Sequence, residues 1–192
     1  MQLNKNGKLV IVTAPSGAGK TTIVHHLLKT FQQLAFSISA TNRTKRSNEV
    51  NGRDYYFFDT KTFKEKINTN AFIEYEEVYE NRFYGTLVEE VEKLWAMNKC
   101  IVFDVDVKGA LSLKNKFKEQ ALAIFIEPPS KEILYTRLKN RNTETAQTLE
   151  QRIIKAEQEL KYADAFDFKI VNDTLKHALQ EADTLVKKFL EM

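Results

Sequence analysis

Two hydrophobic rhythms alternate along the chain. Short apolar and β-branched runs, Leu9–Thr13, Ile101–Val105, Ala121–Ile126 and Phe168–Val171, have the length and composition of buried strands. Each is followed by apolar positions at helical spacing, which predicts helices over Thr21–Phe31, Ala110–Phe117, Lys131–Asn140 and Leu175–Leu190. A further, heavily charged helix is predicted over Thr148–Tyr162. Strands alternating with helices need crossover connections, hence an α/β core with a mostly parallel sheet covered on both faces.

The rhythm breaks between Phe36 and Tyr84. Here Asp54–Phe58 and Phe72–Tyr75 are short aromatic runs, with an Asn51-Gly52 turn signal before the first. Their alternation predicts a small antiparallel sheet inserted into the core and too short to stand alone. A polar stretch, Arg141–Gln147, joins two of the predicted helices. The domain reading is a core of residues 1–35 and 87–192 with an insert of residues 36–86.

Composition narrows the function. At 192 residues with 43% hydrophobic side chains, the chain suits one domain with a sizeable core. Lys plus Arg number 29 against 26 Asp plus Glu, a formal charge of +3. This near balance argues against a nucleic-acid binder, whose affinity comes from an excess of cations over a broad face. No run approaches the roughly 18 apolar residues of a membrane span. The polar start at Met1–Gly7 leads into an apolar run too short for a signal peptide, so a soluble cytoplasmic protein is expected. The single Cys100 reads as a buried thiol.

The strongest chemical signal is Ala14-Pro15-Ser16-Gly17-Ala18-Gly19-Lys20-Thr21, after a strand and before a helix. Gly17 and Gly19 let the backbone turn tightly and aim N–H groups inward, and the helix N-terminus favours an anion. Lys20 is placed to reach the outer phosphates of a nucleotide, and the Thr21 hydroxyl to help hold Mg²⁺. Ala14 replaces the usual first glycine with another small residue. A phosphate loop also needs an acid at the end of a neighbouring strand. Asp104 and Asp106 end such a run, two residues apart, so in extended chain both address one side. Spacing alone leaves open which comes nearer the metal, and the pair could simply end a strand and cap a helix.

Phosphate loops serve GTPases, ATPases and small-molecule kinases alike, so the acceptor must be read elsewhere. Arg43, Lys45, Arg46 and Arg53 are opposed in their stretch only by Glu49 and Asp54, which suggests a phosphate grip. Glu74 stands between Phe72-Ile73 and Tyr75, where a solvated charge is out of place. A semi-enclosed carboxylate accepts two hydrogen bonds, matching the N1–H and exocyclic amine of guanine. Adenine offers an acceptor at N1 and no amine at C2.

With these segments in place, the chain resembles the guanylate kinase family over nearly its whole length. The resemblance is carried by Ala14–Thr22, Ser37–Arg43 with Arg46, Glu49–Tyr55, Phe72–Tyr75, Tyr84-Gly85-Thr86, Asp104–Gly109 and Ile170–Asp173. It implies a P-loop core with a five-stranded, mostly parallel sheet, a small mixed antiparallel GMP-binding insert and a helical lid at about residues 131–155. The implied activity is transfer of the γ-phosphoryl of ATP to GMP, and to dGMP, in purine nucleotide metabolism and GMP recycling, with Mg²⁺ accompanying ATP. By position, Arg43, Arg46, Tyr55 and Tyr84 would grip the GMP phosphate, while Ser39, Glu74 and Thr86 read guanine with help from Asp106. Ala14, Pro15, Ser16, Gly17, Ala18, Gly19, Lys20, Thr21 and Thr22 would hold ATP, with Asn172 and Asp173 near the adenine and Thr21 and Asp104 at the metal. Lys20, Arg43 and the lid arginines Arg137, Arg141 and Arg152 would neutralise the transferring group.

Three positions depart from the family's common residues: Asn42, Lys108 and Asn142, in place of Thr, Gln and Gly. The acceptor phosphate is already largely ionised at neutral pH, so no base is required and His25, His26 and His177 are expected to be ordinary residues. Two other readings compete: a catalytically silent binding module, and a kinase for AMP or a pyrimidine nucleotide. The retained Lys20 and Thr21 oppose the first, Glu74 with Thr86 the second. Either a monomer or a homodimer is compatible with the sequence.

Overall fold

The strand β1 (Leu9–Thr13) is buried along its whole length and forms the axis of the core. In the computed structural model, which describes residues 7–139 and 146–192, it lies between β7 (Cys100–Asp104) and β8 (Ala121–Glu127). Outside them run β2 (Leu34–Phe36), paired with β7, and β9 (Phe168–Val171), paired with β8. All pairs in this five-stranded sheet are parallel. Its alternate residues face opposite sides. Leu9, Ile11, Ile101, Phe103, Ala123 and Phe125 meet α3 (Val88–Ala96) and α4 (Val107–Phe117). Val10, Val12, Val102, Ile124, Ile126 and Ile170 meet α1 (Lys20–Thr30) and α7 (Leu175–Glu191). Continuous apolar strands thus mark a sheet covered on both faces, with Cys100 among the second set, its thiol pushed by burial up to about 12.

The insert carries a second sheet, in the order β4 (Tyr56–Phe57), β3 (Ala40–Thr41), β6 (Arg82–Leu87) and β5 (Phe72–Tyr79). The β3–β4 pair is parallel and the other two antiparallel. The aromatic run from Asp54 yields only a two-residue strand, because Gly52 at φ 76° begins a turn closed by Gly52 N donating to Tyr55 O. Against this sheet packs α2 (Thr60–Asn68), which the sequence reading missed. Its anchor is Phe63, fully buried and stacked on Phe72 at 4.5 Å and Phe83 at 5.6 Å. Asp59 caps it by accepting from Thr62 N. Asn42 ties the insert together: its Nδ2 donates to Thr60 Oγ1 and Asn81 O, and its Oδ1 accepts from Phe83 N.

Tyr56 of the insert donates to Glu90 of α3 at 2.8 Å, one link from insert to core. The remaining helices, α5 (Lys131–Lys139) and α6 (Ala146–Leu160), pack through Leu134, Leu138 and Ala156. No helix among the described residues is long and apolar enough to cross a membrane.

Candidate active site

At the C-terminal end of β1 the chain enters the loop Ala14–Gly19, and Lys20 opens α1. Gly17 and Gly19 have φ of 93° and 99°, a region that side chains disfavour. Asn172, after β9, braces the loop by donating from Nδ2 to Ala18 O at 2.7 Å. A Cβ at position 19 would fall 2.3 Å from that nitrogen, so Gly19 is needed for close approach as well as for φ. Lys20 Nζ lies 2.6 Å from Asp104 Oδ1 and donates to Val105 O at 2.9 Å. Thr13 Oγ1 donates to the same carbonyl, pinning the ends of β1 and β7 together.

A cleft of about 310 Å³ opens over the loop. Ala14, Pro15, Ser16, Gly17, Gly19, Lys20, Thr21 and Thr22 line one side, and Asp106, Tyr79 and three residues of α6, Arg152, Lys155 and Glu159, the other. Sequence reasoning found Arg152 but missed Tyr79, Lys155 and Glu159. The signal was available on α6, where positions 152, 155 and 159 share a helical face. Asn172 does not line this cleft: it is buried behind the loop, and its carbonyl accepts from Arg137 Nη2 at 3.1 Å. Arg137 Nη1 is buried without a hydrogen-bond partner. Asp173 is exposed and accepts from Thr174 N. Arg141 and Asn142 lie outside the described residues.

A second cleft, of about 260 Å³, lies in the insert. Ser39, Tyr55, Glu74, Tyr84 and Gly85 line it, and it ends on Asp104, Val105 and Asp106 of the core. Asp104 and Asp106 both reach this cleft, but with different work. Asp104 terminates β7 and holds Lys20, whereas Asp106 caps α4 by accepting Gly109 N at 2.9 Å.

Glu74 and Thr86 are direct cross-strand partners on β5 and β6, which sets them on one face. Glu74 is buried, and desolvation pushes its carboxyl up to about 7; Asp106 and Glu76 add to the shift, and Thr86 opposes it. Thr86 Oγ1, also buried, meets no partner at hydrogen-bonding geometry. The carboxylate occupies space left by Gly109, where a Cβ would stand 2.9 Å from Glu74 Oε2 and 3.2 Å from Asp106 Oδ1.

Arg43 is held by both oxygens of Glu49, at 2.7 and 2.5 Å, with its guanidinium 4.8 Å from the Tyr55 ring centroid. That fork holds the Glu49 carboxyl down to about 2 and raises Arg43 further. Tyr84 packs edge-on against Tyr55 at 6.1 Å, so Arg43, Tyr55 and Tyr84 form one cluster. Arg46 is not drawn into it: its backbone N–H donates to Glu49, and its side chain is 72% exposed. Lys45 donates to Glu49 O, and Arg53 pairs with Asp54. Lys108 is exposed in the first turn of α4 and acts weakly on Glu76.

Among the described residues no group of three or more His, Cys, Asp or Glu could hold a metal ion. The hydroxyl of Thr21 and the carboxylate of Asp104 are hard oxygen donors, which suits an ion carried largely by nucleotide phosphates.

The guanylate kinase family model matches residues 6–189. The guanylate kinase of Porphyromonas gingivalis is 47% identical over 184 residues, covering 95% of this chain and 98% of its own. That of Chlorobium chlorochromatii is 43% identical over 190 residues, covering 99% and 100%. The crystal structure of guanylate kinase from Anaplasma phagocytophilum superposes with a TM-score of 0.74 at 25% identity, covering 97% of this chain and 87% of that one. With a phosphate loop facing a buried carboxylate across two acids of the core, the chain belongs to the guanylate kinase family.

Proposed function

We propose that the protein transfers the γ-phosphoryl of ATP to GMP, giving ADP and GDP, and that it accepts dGMP. The observation that carries this reading is the meeting of the two clefts at Asp106, which borders both. ATP lies over the loop with its phosphates toward Lys20, Thr21 and Arg152. GMP lies in the insert, its guanine against Glu74, Thr86 and Ser39 and its phosphate toward Arg43, Tyr55 and Tyr84. The acceptor oxygen then faces the γ-phosphorus, and transfer needs alignment and charge neutralisation rather than a base.

Lys20 must exchange Asp104 for phosphate oxygens as ATP enters, and Arg43 must turn from Glu49 to the GMP phosphate. Arg46, now in solvent, joins the grip only if the insert closes. Arg137 belongs to the lid side of that closure, which also excludes water. Mg²⁺, held by Thr21 and Asp104 together with ATP, would supply Lewis-acid neutralisation of the phosphate oxygens. On this reading the enzyme recycles GMP in purine nucleotide metabolism, with the cytoplasm as its proposed location. The test is ADP formation from ATP and Mg²⁺ with GMP, dGMP, AMP, UMP and CMP offered separately. Turnover with GMP and dGMP only is expected, and absence of turnover with GMP would overturn the reading.

A further inference from the structure

Lys155 belongs to no phosphate-loop or insert motif, yet it stands where the two clefts meet. It follows Arg152 by three positions on α6, so both side chains leave the helix toward the phosphate loop, and both line its cleft. Its Nζ is 3.6 Å from Glu159 Oε1 and 3.9 Å from Asp106 Oδ2, each longer than a direct hydrogen bond. It also lies 5.3 Å from the Tyr79 ring centroid. These neighbours come from different parts of the molecule: Asp106 from the core, Tyr79 from the insert and Glu159 from α6 itself.

Asp106 makes the position informative. Its Oδ1 is engaged by Gly109 N, which leaves Oδ2 to face the lysine. Asp106 borders both the phosphate cleft and the guanine cleft, so a cation opposite it stands beside the path between donor and acceptor. The ion pairs are loose, and the Lys155 side chain is 29% exposed, so little holds the ammonium against a phosphate oxygen. Lys20, by contrast, begins 2.6 Å from a carboxylate that it must leave.

We infer that Lys155 is a further cation of the transfer step, turning from Asp106 and Glu159 to the oxygens of the phosphoryl group as it passes between the clefts. This rests on the assignment of ATP and GMP to those clefts. In the step, the bond from the γ-phosphorus to the bridging oxygen of ATP breaks and ADP keeps the electron pair. A bond forms from an oxygen of the GMP phosphate, and Lys155 retains its protons throughout. Its contribution belongs to the transition state, where charge spreads over the transferring oxygens, and not to the binding of either nucleotide.

The experiment is steady-state kinetics of Lys155→Met, Lys155→Gln and Lys155→Arg at saturating Mg²⁺, with thermal melts as a check on folding. Lys155→Met and Lys155→Gln are expected to lower kcat about tenfold or more, with KM for ATP and for GMP within about twofold of wild type. Lys155→Arg is expected to recover most of the loss, because it restores the charge. Three outcomes would overturn the inference: kcat of the neutral variants within about twofold of wild type, an effect confined to KM, or an Arg variant as poor as Met. Should Lys155→Met melt early, the Gln and Arg pair carries the comparison. Lys20→Ala and Glu74→Gln run beside them separate a failure of this inference from a failure of the cleft assignment. If those two leave turnover and selection intact, the clefts are misassigned.

Discussion

The phosphate loop and the insert cleft solve the same problem, holding an anionic nucleotide, by opposite arrangements. In the loop, most of the site is backbone, and the bracing comes from across the fold: Asn172 on Ala18, Thr13 and Lys20 on Val105. In the insert the site is side chains, and its arginine rests against a neighbour that must later give way. Arg43 is occupied by Glu49, and burial, with Asp106 adding to it, pushes the Glu74 carboxyl up to about 7. The loop backbone is therefore shaped for phosphate before any ligand arrives, and on that side only the Lys20 ammonium has an internal partner, Asp104, to exchange, while in the insert the Arg43 grip is itself engaged with Glu49. Rigidity on the donor side and exchange on the acceptor side suit an enzyme that must choose its acceptor and hold its donor in register.

Breaking the donor side at its charge has the largest expected effect. Lys20→Ala should lower kcat roughly a thousandfold in a coupled ADP assay, while guanosine binding to the insert is unchanged. Next comes the reader of the base. Glu74→Gln should cut kcat/KM for GMP by about a hundredfold or more, since the amide presents N–H groups to the guanine donors. At about pH 8 the same variant should melt higher than wild type, because it removes a charge that is costly to bury.

A brace on the loop is worth less. Asn172→Ala strips the Ala18 carbonyl of its buried partner and should lower stability by about 1–3 kcal/mol in urea unfolding, with a rise in KM for ATP and none for GMP. The mildest test is pH. The native state keeps a proton on Glu74 up to about 7 that the unfolded chain loses near the ordinary carboxylate value, so native stability falls as pH rises through that window. Recognition moves the other way, since only the ionised form accepts two N–H groups. The Kd for guanosine, which has no phosphate to titrate, should fall roughly tenfold between about pH 6 and pH 8. A flat profile would place Glu74 away from the base.

Legibility in the sequence followed the same division. The loop is contiguous, so its glycines, Lys20 and Thr21 could be read from local order, and the core strands showed because burial on both faces makes them apolar throughout. The insert showed through exceptions, above all Glu74 within an apolar run. Elements whose stability is tertiary stayed hidden. α2 is polar except where Phe63 and Ile67 meet the insert core, and β2 spans only three residues. Tyr79 could not be placed, because its importance lies in which elements approach one another, whereas Lys155 was legible only as a position on the helical face of Arg152. Arg46 and Arg43 look equivalent in sequence, and only the geometry of Glu49 distinguishes the seated arginine from the exposed one.

Gly109 sits in the first turn of α4, where alanine would favour the helix by up to about 1 kcal/mol. Yet a methyl group there would meet the Glu74 carboxylate. On the proposed role of Glu74 as the reader of the base, a core helix thereby sets part of the boundary between one purine and another. Drift at this position would be filtered by fidelity of nucleotide choice before stability could reward it.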